Sequence, residues 1–255
     1  MQTVAILTTS RNQKDRVLSV LRSCSVQIDE MKNEENFSFT IYLLDNMSTD
    51  GTVEAVNEAY PQVKTLKMDM GDEWSNGLKT LWEYVAEKKY DFYLILDSGI
   101  HLEDGALACL MENSKFLKDR AIIAGTISDK DGKICLYGGL NKHGKVMVPD
   151  DILPLPCTTF DGKLVLVPNH VFQTIGNIDS LHVYRFPDYE YGRRAKRNGL
   201  NVVIAPRILG SDDREDCPDR DKFIYDLHHY GWIGAALHNL SIWMKLMFSR
   251  MKNKK

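Results

Sequence analysis

Four times in its first 120 residues the chain alternates a short apolar run with a segment of helical periodicity, and this alternation constrains the fold more than any other feature. The runs are TVAILTT at residues 3–9, FTIYLLD at 39–45, VKTLKM at 63–68 and DFYLILD at 91–97. Short β-branched runs of this kind fit parallel strands buried on both faces. After the first run Val17, Leu18, Val20, Leu21, Cys24 and Ile28 recur at helical spacing. VEAVNEAY, NGLKTLWEYVAEKK and LEDGALACLMENSKFL read as helices after the other three, with Thr52 as the N-cap of the first of them. Strand and helix in alternation predict a parallel sheet wound by right-handed crossovers. Such sheets bind ligands beyond the C-terminal ends of their strands. Three polar clusters fall there: Thr8 to Asn12, Asp45 to Asp50, and Asp97 to His101.

After residue 120 the pattern changes. AIIAGTI and GKLVLVP read as strands around a loop-rich stretch containing Gly138, Gly139, Pro149, Pro154 and Pro156. FPDYEYGRRAKRNG reads as a helix and LNVVIAP as a further strand. This half is expected to be mixed rather than parallel and to complete the same sheet. No linker separates two domains, so residues 1–255 are read as one.

Composition narrows the function classes. A chain of 255 residues with 44% hydrophobic and 26% charged residues can close a core without metal or disulfide staples. A formal charge of −3 argues against nucleic acid as a partner. The five cysteines are scattered without a CxxC, which argues against zinc and fits a reducing compartment. The N-terminus has no cationic leader, and no apolar run reaches spanning length. The protein is therefore expected in the cytoplasm. The segment GWIGAALHNLSIWMKLMFSRMKNKK is rich in aromatics and Met and ends in Lys245, Arg250, Lys252, Lys254 and Lys255 with no acid. It reads either as a helix docked on its own domain with a solvated basic tail, or as a peripheral contact with the inner face of an anionic membrane.

TTSRNQKDRVLSVLRS followed by YLLDNMSTDGT resembles the opening of family-two glycosyltransferases, which have the GT-A fold. WSNGLKTLWEYV, YDFYLILDSGI, CTTFDGKLVLVPNHVFQTIGNID, PDYEYGRRAKRNGL and HHYGWIGA, in that order, resemble a bacterial branch of that family that serves surface polysaccharide assembly. The resemblance spans essentially the whole chain. It implies an α/β fold of GT-A type, with a mostly parallel central sheet flanked by helices. It also implies inverting transfer of a sugar from a nucleotide-sugar donor to a hydroxyl acceptor, a glycan or lipid-linked glycan. Residues 1–120 would be the nucleotide-binding half, 121–230 the acceptor and catalytic half, and 231–255 a C-terminal helix and basic tail.

The resemblance also assigns residues. Asp45 falls where the nucleotide base is contacted, and a carboxylate can accept the imide N–H of a pyrimidine. The same residue type commonly caps a turn such as DNMSTDG. Asp50 reads as structural. Thr8, Thr9 and Arg11 line the neighbouring strand end, and Trp74 stands where the bacterial branch carries a Trp near the nucleotide. Asp188 falls on the position of the general base, with Glu190 as the second acid. Both also suit the first turn of a helix, where acids oppose the dipole. The departure is at LILDSGI. Relatives carry there the Asp that binds Mg²⁺ or Mn²⁺, and this chain has Gly99. Asp97 remains as a ribose or metal contact, with His229 as a further candidate ligand, and a lone Asp is a poor divalent-metal site. Gly99 therefore leaves two expectations open: a glycosyltransferase, or a catalytically degenerate relative that keeps the fold.

Overall fold

In a computed structural model the described residues are 1–31, 37–69, 74–179 and 187–213, with backbone alone for Trp74 and Ser75. His229 and the basic tail lie outside them. The first half follows the sequence pattern closely. Strand β1 (Gln2–Ser10), helix α1 (Lys14–Met31), β2 (Phe37–Asp45), α2 (Thr52–Ala59), β3 (Lys64–Lys67), α3 (Trp74–Ala86) and β4 (Phe92–Leu96) alternate as expected. β1 pairs in parallel with β2 and β4, and β2 in parallel with β3. Val4, Ala5, Ile6 and Leu7 of β1 have no exposed surface, which is why this run carries no polar alternation.

The second half adds β5 (Ile100–Leu102), α4 (Ala106–Phe116), β6 (Ala121–Asp129), β7 (Cys135–Tyr137), β8 (Gly139–Leu140), β9 (Leu155–Pro156), β10 (Thr159–Phe160), β11 (Leu164–Pro168), α5 (Asn169–Ile175), α6 (Pro187–Arg197) and β12 (Asn201–Asp212). The main sheet runs β3-β2-β1-β4-β11-β6-β12-β5, with β7 on β6 and β9 on β12. Strand β11 is antiparallel to both β4 and β6, whereas β12 is parallel to β6. The mixed second half thus completes the first sheet, giving the α/β architecture read from the sequence. The reversal of β11 decides which of its ends stands beside the end of β4. It brings the start of that strand, not its end, to the edge where β1, β2 and β4 finish.

Helices α3, α5 and α6 share one face of the sheet through an aromatic core. Trp82 stacks on Phe172 at 5.3 Å between ring centroids and lies 5.5 Å from Tyr191 and 5.6 Å from Tyr93. Trp82, Tyr93 and Tyr191 are fully buried, and burying each ring stabilises the fold by about 1.5–3 kcal/mol. Tyr191 therefore anchors α6, and its hydroxyl donates to the Gly176 carbonyl at 3.1 Å. Gly192, the next residue, lets the helix settle. A Cβ there would stand 2.4 Å from Thr159 Oγ1 and 3.1 Å from the Phe160 ring. The polar ends of α6 match its dipole, with Asp188 and Glu190 in the first turn and Arg194, Lys196 and Arg197 in the last.

Three local readings differ from the sequence expectation. Thr52 is the first residue of α2 rather than its N-cap, because Gly51 takes the cap with φ 78° and the Asp50 carboxylate accepts the Thr52 N–H at 3.1 Å. Strand β5 and helix α5 are too short, at 3 and 7 residues, for periodicity to reveal. Strand β12 continues six residues past LNVVIAP, to Asp212, with irregular register near Ile208. Cys24, Cys109, Cys135 and Cys157 are free thiols. Among the described residues no helix is long and apolar enough to cross a membrane.

Candidate nucleotide-sugar site

The ends of β1 and β2 are tied into one cradle. The register sets Ser10 beside Asp45. Asn46 N–H then donates to the Ser10 carbonyl at 2.8 Å, and Asn12 N–H donates to Ser48 Oγ at 2.8 Å. Asn12 Oδ1 accepts Thr49 N–H at 2.8 Å, which holds Asn12 in the left-handed region at φ 52°. Asp50 joins both following helices: one oxygen accepts Lys14 N–H at 3.0 Å and the other takes Thr52. The Thr52 hydroxyl, followed by these backbone N–H groups, pulls the Asp50 pKa below the usual 3.8. The structural role read for Asp50 is the one it has.

Asp45 has no exposed surface, and its Oδ2 accepts Ser48 N–H at 2.8 Å, closing the turn. Its Oδ1 is buried and has no hydrogen-bond partner among the described residues, as is also true of the Thr8 and Ser10 hydroxyls. Unsatisfied buried acceptors are uncommon and cost about 1–3 kcal/mol each, so three at one strand edge mark it as unusual. Thr9 is half-buried and Arg11 is exposed on the rim. Trp74 opens α3, and one turn later Gly77 packs over Thr9, where an added Cβ would lie 3.6 Å from Thr9 Cγ2. The helix start is thereby held over the end of β1.

The second cluster lies where β4, β11 and α6 meet. Asp97 follows the last residue of β4, and the antiparallel ladder places Lys163 opposite it: Asp97 N–H donates to the Lys163 carbonyl at 2.8 Å. The Lys163 ammonium pairs with Asp97 Oδ2 at 2.5 Å, while Asp97 Oδ1 accepts Gly99 N–H at 2.8 Å. The ammonium also sits 5.3 Å from the Tyr137 ring centroid. On the other side, Asp188 Oδ2 accepts Gly162 N–H at 2.7 Å and Oδ1 accepts Tyr189 N–H at 2.9 Å. Burial pushes the Asp188 pKa up to about 6, helped by the neighbouring Asp161 charge and opposed by the two N–H groups and Lys163. Glu190, by contrast, is ion-paired along its own helix, 2.9 Å from Arg197 and 3.6 Å from Arg194. Arg193 lies against the Tyr189 ring, and Arg194 donates to the Asn177 carbonyl at 2.6 Å.

The structure therefore brings Thr8, Thr9 and Asp45 to one edge and Asp97 and Asp188 to another meeting point on it. Sequence reasoning missed Lys163. Its only signal was the turn DGK before an apolar strand, and its pairing with Asp97 needs the antiparallel register of β11. The described residues do not fit a divalent metal. Both Asp97 oxygens are engaged, Gly99 offers no side chain, and among the described residues no three His, Cys, Asp or Glu side chains group as ligands. A separate hollow of about 440 Å³ between Glu103, Asp129, Lys130 and Arg207 contains none of the assigned residues.

No protein-family model matches the chain, and no curated protein matches it in sequence. Solved structures do match in fold. S. aureus TarS 1–349 superposes with a TM-score of 0.62 at 13% identity, over 89% of this chain and 64% of that one. TarS 1–349 in complex with UDP-GlcNAc gives 0.57 at 14% identity, over 87% and 61%. The mannosyltransferase PcManGT from Pyrobaculum calidifontis, in complex with GDP-Man and Mn²⁺, gives 0.58 at 13% identity, over 93% and 64%. The chain has the GT-A fold, as the sequence resemblance implied; both neighbours are GT-A glycosyltransferases. It spans less than two thirds of the length of these structures.

Proposed function

We propose that the protein transfers a sugar from a nucleotide-sugar donor to a hydroxyl acceptor with inversion, and that Asp188 is the general base. The observation that carries this reading is the Asp188 carboxylate, fixed by two backbone N–H groups at the strand-end edge and raised to a pKa of about 6. A base with a pKa near the working pH is ionised yet still takes a proton well. The acceptor oxygen forms its bond to the anomeric carbon while the bond from that carbon to the phosphate oxygen breaks. The acceptor proton passes to Asp188, and the electron pair leaves with the nucleoside diphosphate. Thr8, Thr9, Arg11, Asp45 and Trp74 form the proposed nucleotide side, where Asp45 Oδ1 and the Thr8 hydroxyl hold unused hydrogen-bonding capacity. The acceptor is proposed to be a glycan or lipid-linked glycan, met at the inner membrane face in a polysaccharide-building role, with the basic tail as the peripheral contact. The UDP-GlcNAc and GDP-Man bound by the fold neighbours make these two donors the first to try.

Gly99 and the engaged Asp97 favour a second reading, a relative that binds nucleotide without turnover. Donor turnover by the purified protein separates the two. Release of nucleoside diphosphate from at least one nucleotide sugar supports the enzyme; binding with no release by any donor leaves the second reading.

A further inference from the structure

The reaction proposed above ends with extra negative charge on a diphosphate, and the fixed charges of the site must stabilise it. Such preorganised electrostatics is commonly the largest catalytic contribution. The fold neighbour PcManGT is in complex with GDP-Man and Mn²⁺. Among the described residues, those at the end of β4 do not group as metal ligands, and a cation of another kind stands there.

We propose that the ammonium of Lys163 takes the position and the charge role of a divalent metal, binding the diphosphate of the donor. Three observations support it. First, the ammonium pairs with Asp97, the one carboxylate left at the end of β4, so a metal would have to displace it. Second, the placement is built into the sheet. Lys163 faces Asp97 across the antiparallel β4–β11 ladder, its carbonyl holds the Asp97 N–H, and the Tyr137 ring flanks its side chain. Third, Lys163 keeps access to a ligand: 22% of its side chain reaches solvent, against 12% for Asp97. An ammonium carries three donors, so pairing with Asp97 leaves capacity for phosphate oxygens. Asp161 and Asp188 also act on this point, since both the Asp161 charge and the Lys163 charge move the Asp188 pKa. Lys163 is thus within electrostatic reach of the carboxylate that takes the proton and in contact with the one at the strand end. It links the leaving-group side of the site to the base side.

This inference rests on the nucleotide-sugar reading, and its test separates the two. Calorimetric titration of UDP and of GDP into the full chain is run in EDTA and again in Mn²⁺, for wild type, Lys163→Gln, Lys163→Arg and Lys133→Gln. Lys133 is an exposed lysine on the β6–β7 turn, paired with Asp131. Wild type is expected to bind a diphosphate in EDTA with no gain from Mn²⁺. Lys163→Gln should weaken that binding about 10–100-fold, the range for hydrogen bonds to charged groups. Lys163→Arg should keep most of it, and Lys133→Gln all of it. The parent nucleoside, which lacks phosphate, should bind Lys163→Gln as well as wild type, which shows that the variant is folded. Diphosphate binding that requires Mn²⁺ and is equal in wild type and Lys163→Gln overturns the lysine assignment and leaves the nucleotide site standing. No binding of either diphosphate by wild type, in EDTA or in Mn²⁺, overturns both.

Discussion

The two halves of the strand-end edge use their carboxylates in opposite ways. At the ends of β1 and β2, Asp45 accepts one backbone N–H and Asp50 accepts two, and the Asp50 pKa is lowered. At the β4–β11–α6 meeting point, Asp161 and Asp188 are held close enough to repel, and the Asp188 pKa is raised. The first arrangement stabilises a loop; the second holds a carboxylate in a state that favours taking a proton. A loop that must present a fixed surface to a nucleotide gains from the first. A group that must exchange a proton gains from the second.

The largest expected effect falls on the second half. Asp188→Asn should lower turnover by roughly 10²–10⁴ while nucleotide binding persists, measured by steady-state rates beside calorimetry. Loss in Glu190→Gln with normal turnover in Asp188→Asn would move the base two residues along α6, away from the residue that Gly162 holds. Next is Gly192→Ala. A Cβ 2.4 Å from Thr159 Oγ1 must push α6 off β10, destabilising the fold by about 1–3 kcal/mol in denaturant titration. Because Asp188 rides on that helix, turnover should fall with it, and a displacement of ~1 Å is enough to cost about 10²-fold.

The pH dependence sharpens the contrast. If Asp188 is the base, the rate should rise with pH through about 6 and then level off. Asp161→Asn removes the like charge and should move this limb to lower pH. Lys163→Gln removes the opposing charge and should move it to higher pH. The stability sign follows from the same shift. The folded state holds the Asp188 proton more tightly than the unfolded chain, so this contribution is full below about 3.8 and is lost as pH rises through about 6. Melting curves of wild type and Asp188→Asn across that window should converge at its upper end in slope. Asp50 has the opposite sign: its contribution is present above 3.8 and lost as pH falls through its lowered value. The smallest effect belongs to it. Asp50→Ala should cost about 0.5–1 kcal/mol, as for loss of a helix cap, and leave the acidic limb of the rate unchanged.

What the sequence disclosed follows the same division. The first half was legible because each strand is a continuous apolar run, each helix has a clear period, and the polar residues at the strand ends are neighbours in sequence. Asp45, Thr8 and Asp97 could therefore be placed before any coordinates. The second half was legible as elements but not as contacts. The motif singles out Asp188, yet its neighbours Gly162 and Asp161 come from 26 and 27 positions earlier in the chain. Lys163 meets Asp97 across 66 positions, through a strand whose direction the apolar pattern of KLVLVP does not reveal. Periodicity reports which residues are buried; it does not report whether a strand enters the sheet from the top or the bottom.

The proposed reaction belongs where β4, β11 and α6 meet. A crystal structure with a bound nucleotide sugar tests it most directly. The nucleobase should lie against the ends of β1 and β2, with the diphosphate within hydrogen-bond reach of Lys163 and the anomeric carbon turned toward Asp188. A nucleotide seated elsewhere, for example in the hollow between Glu103, Asp129 and Arg207, would contradict it.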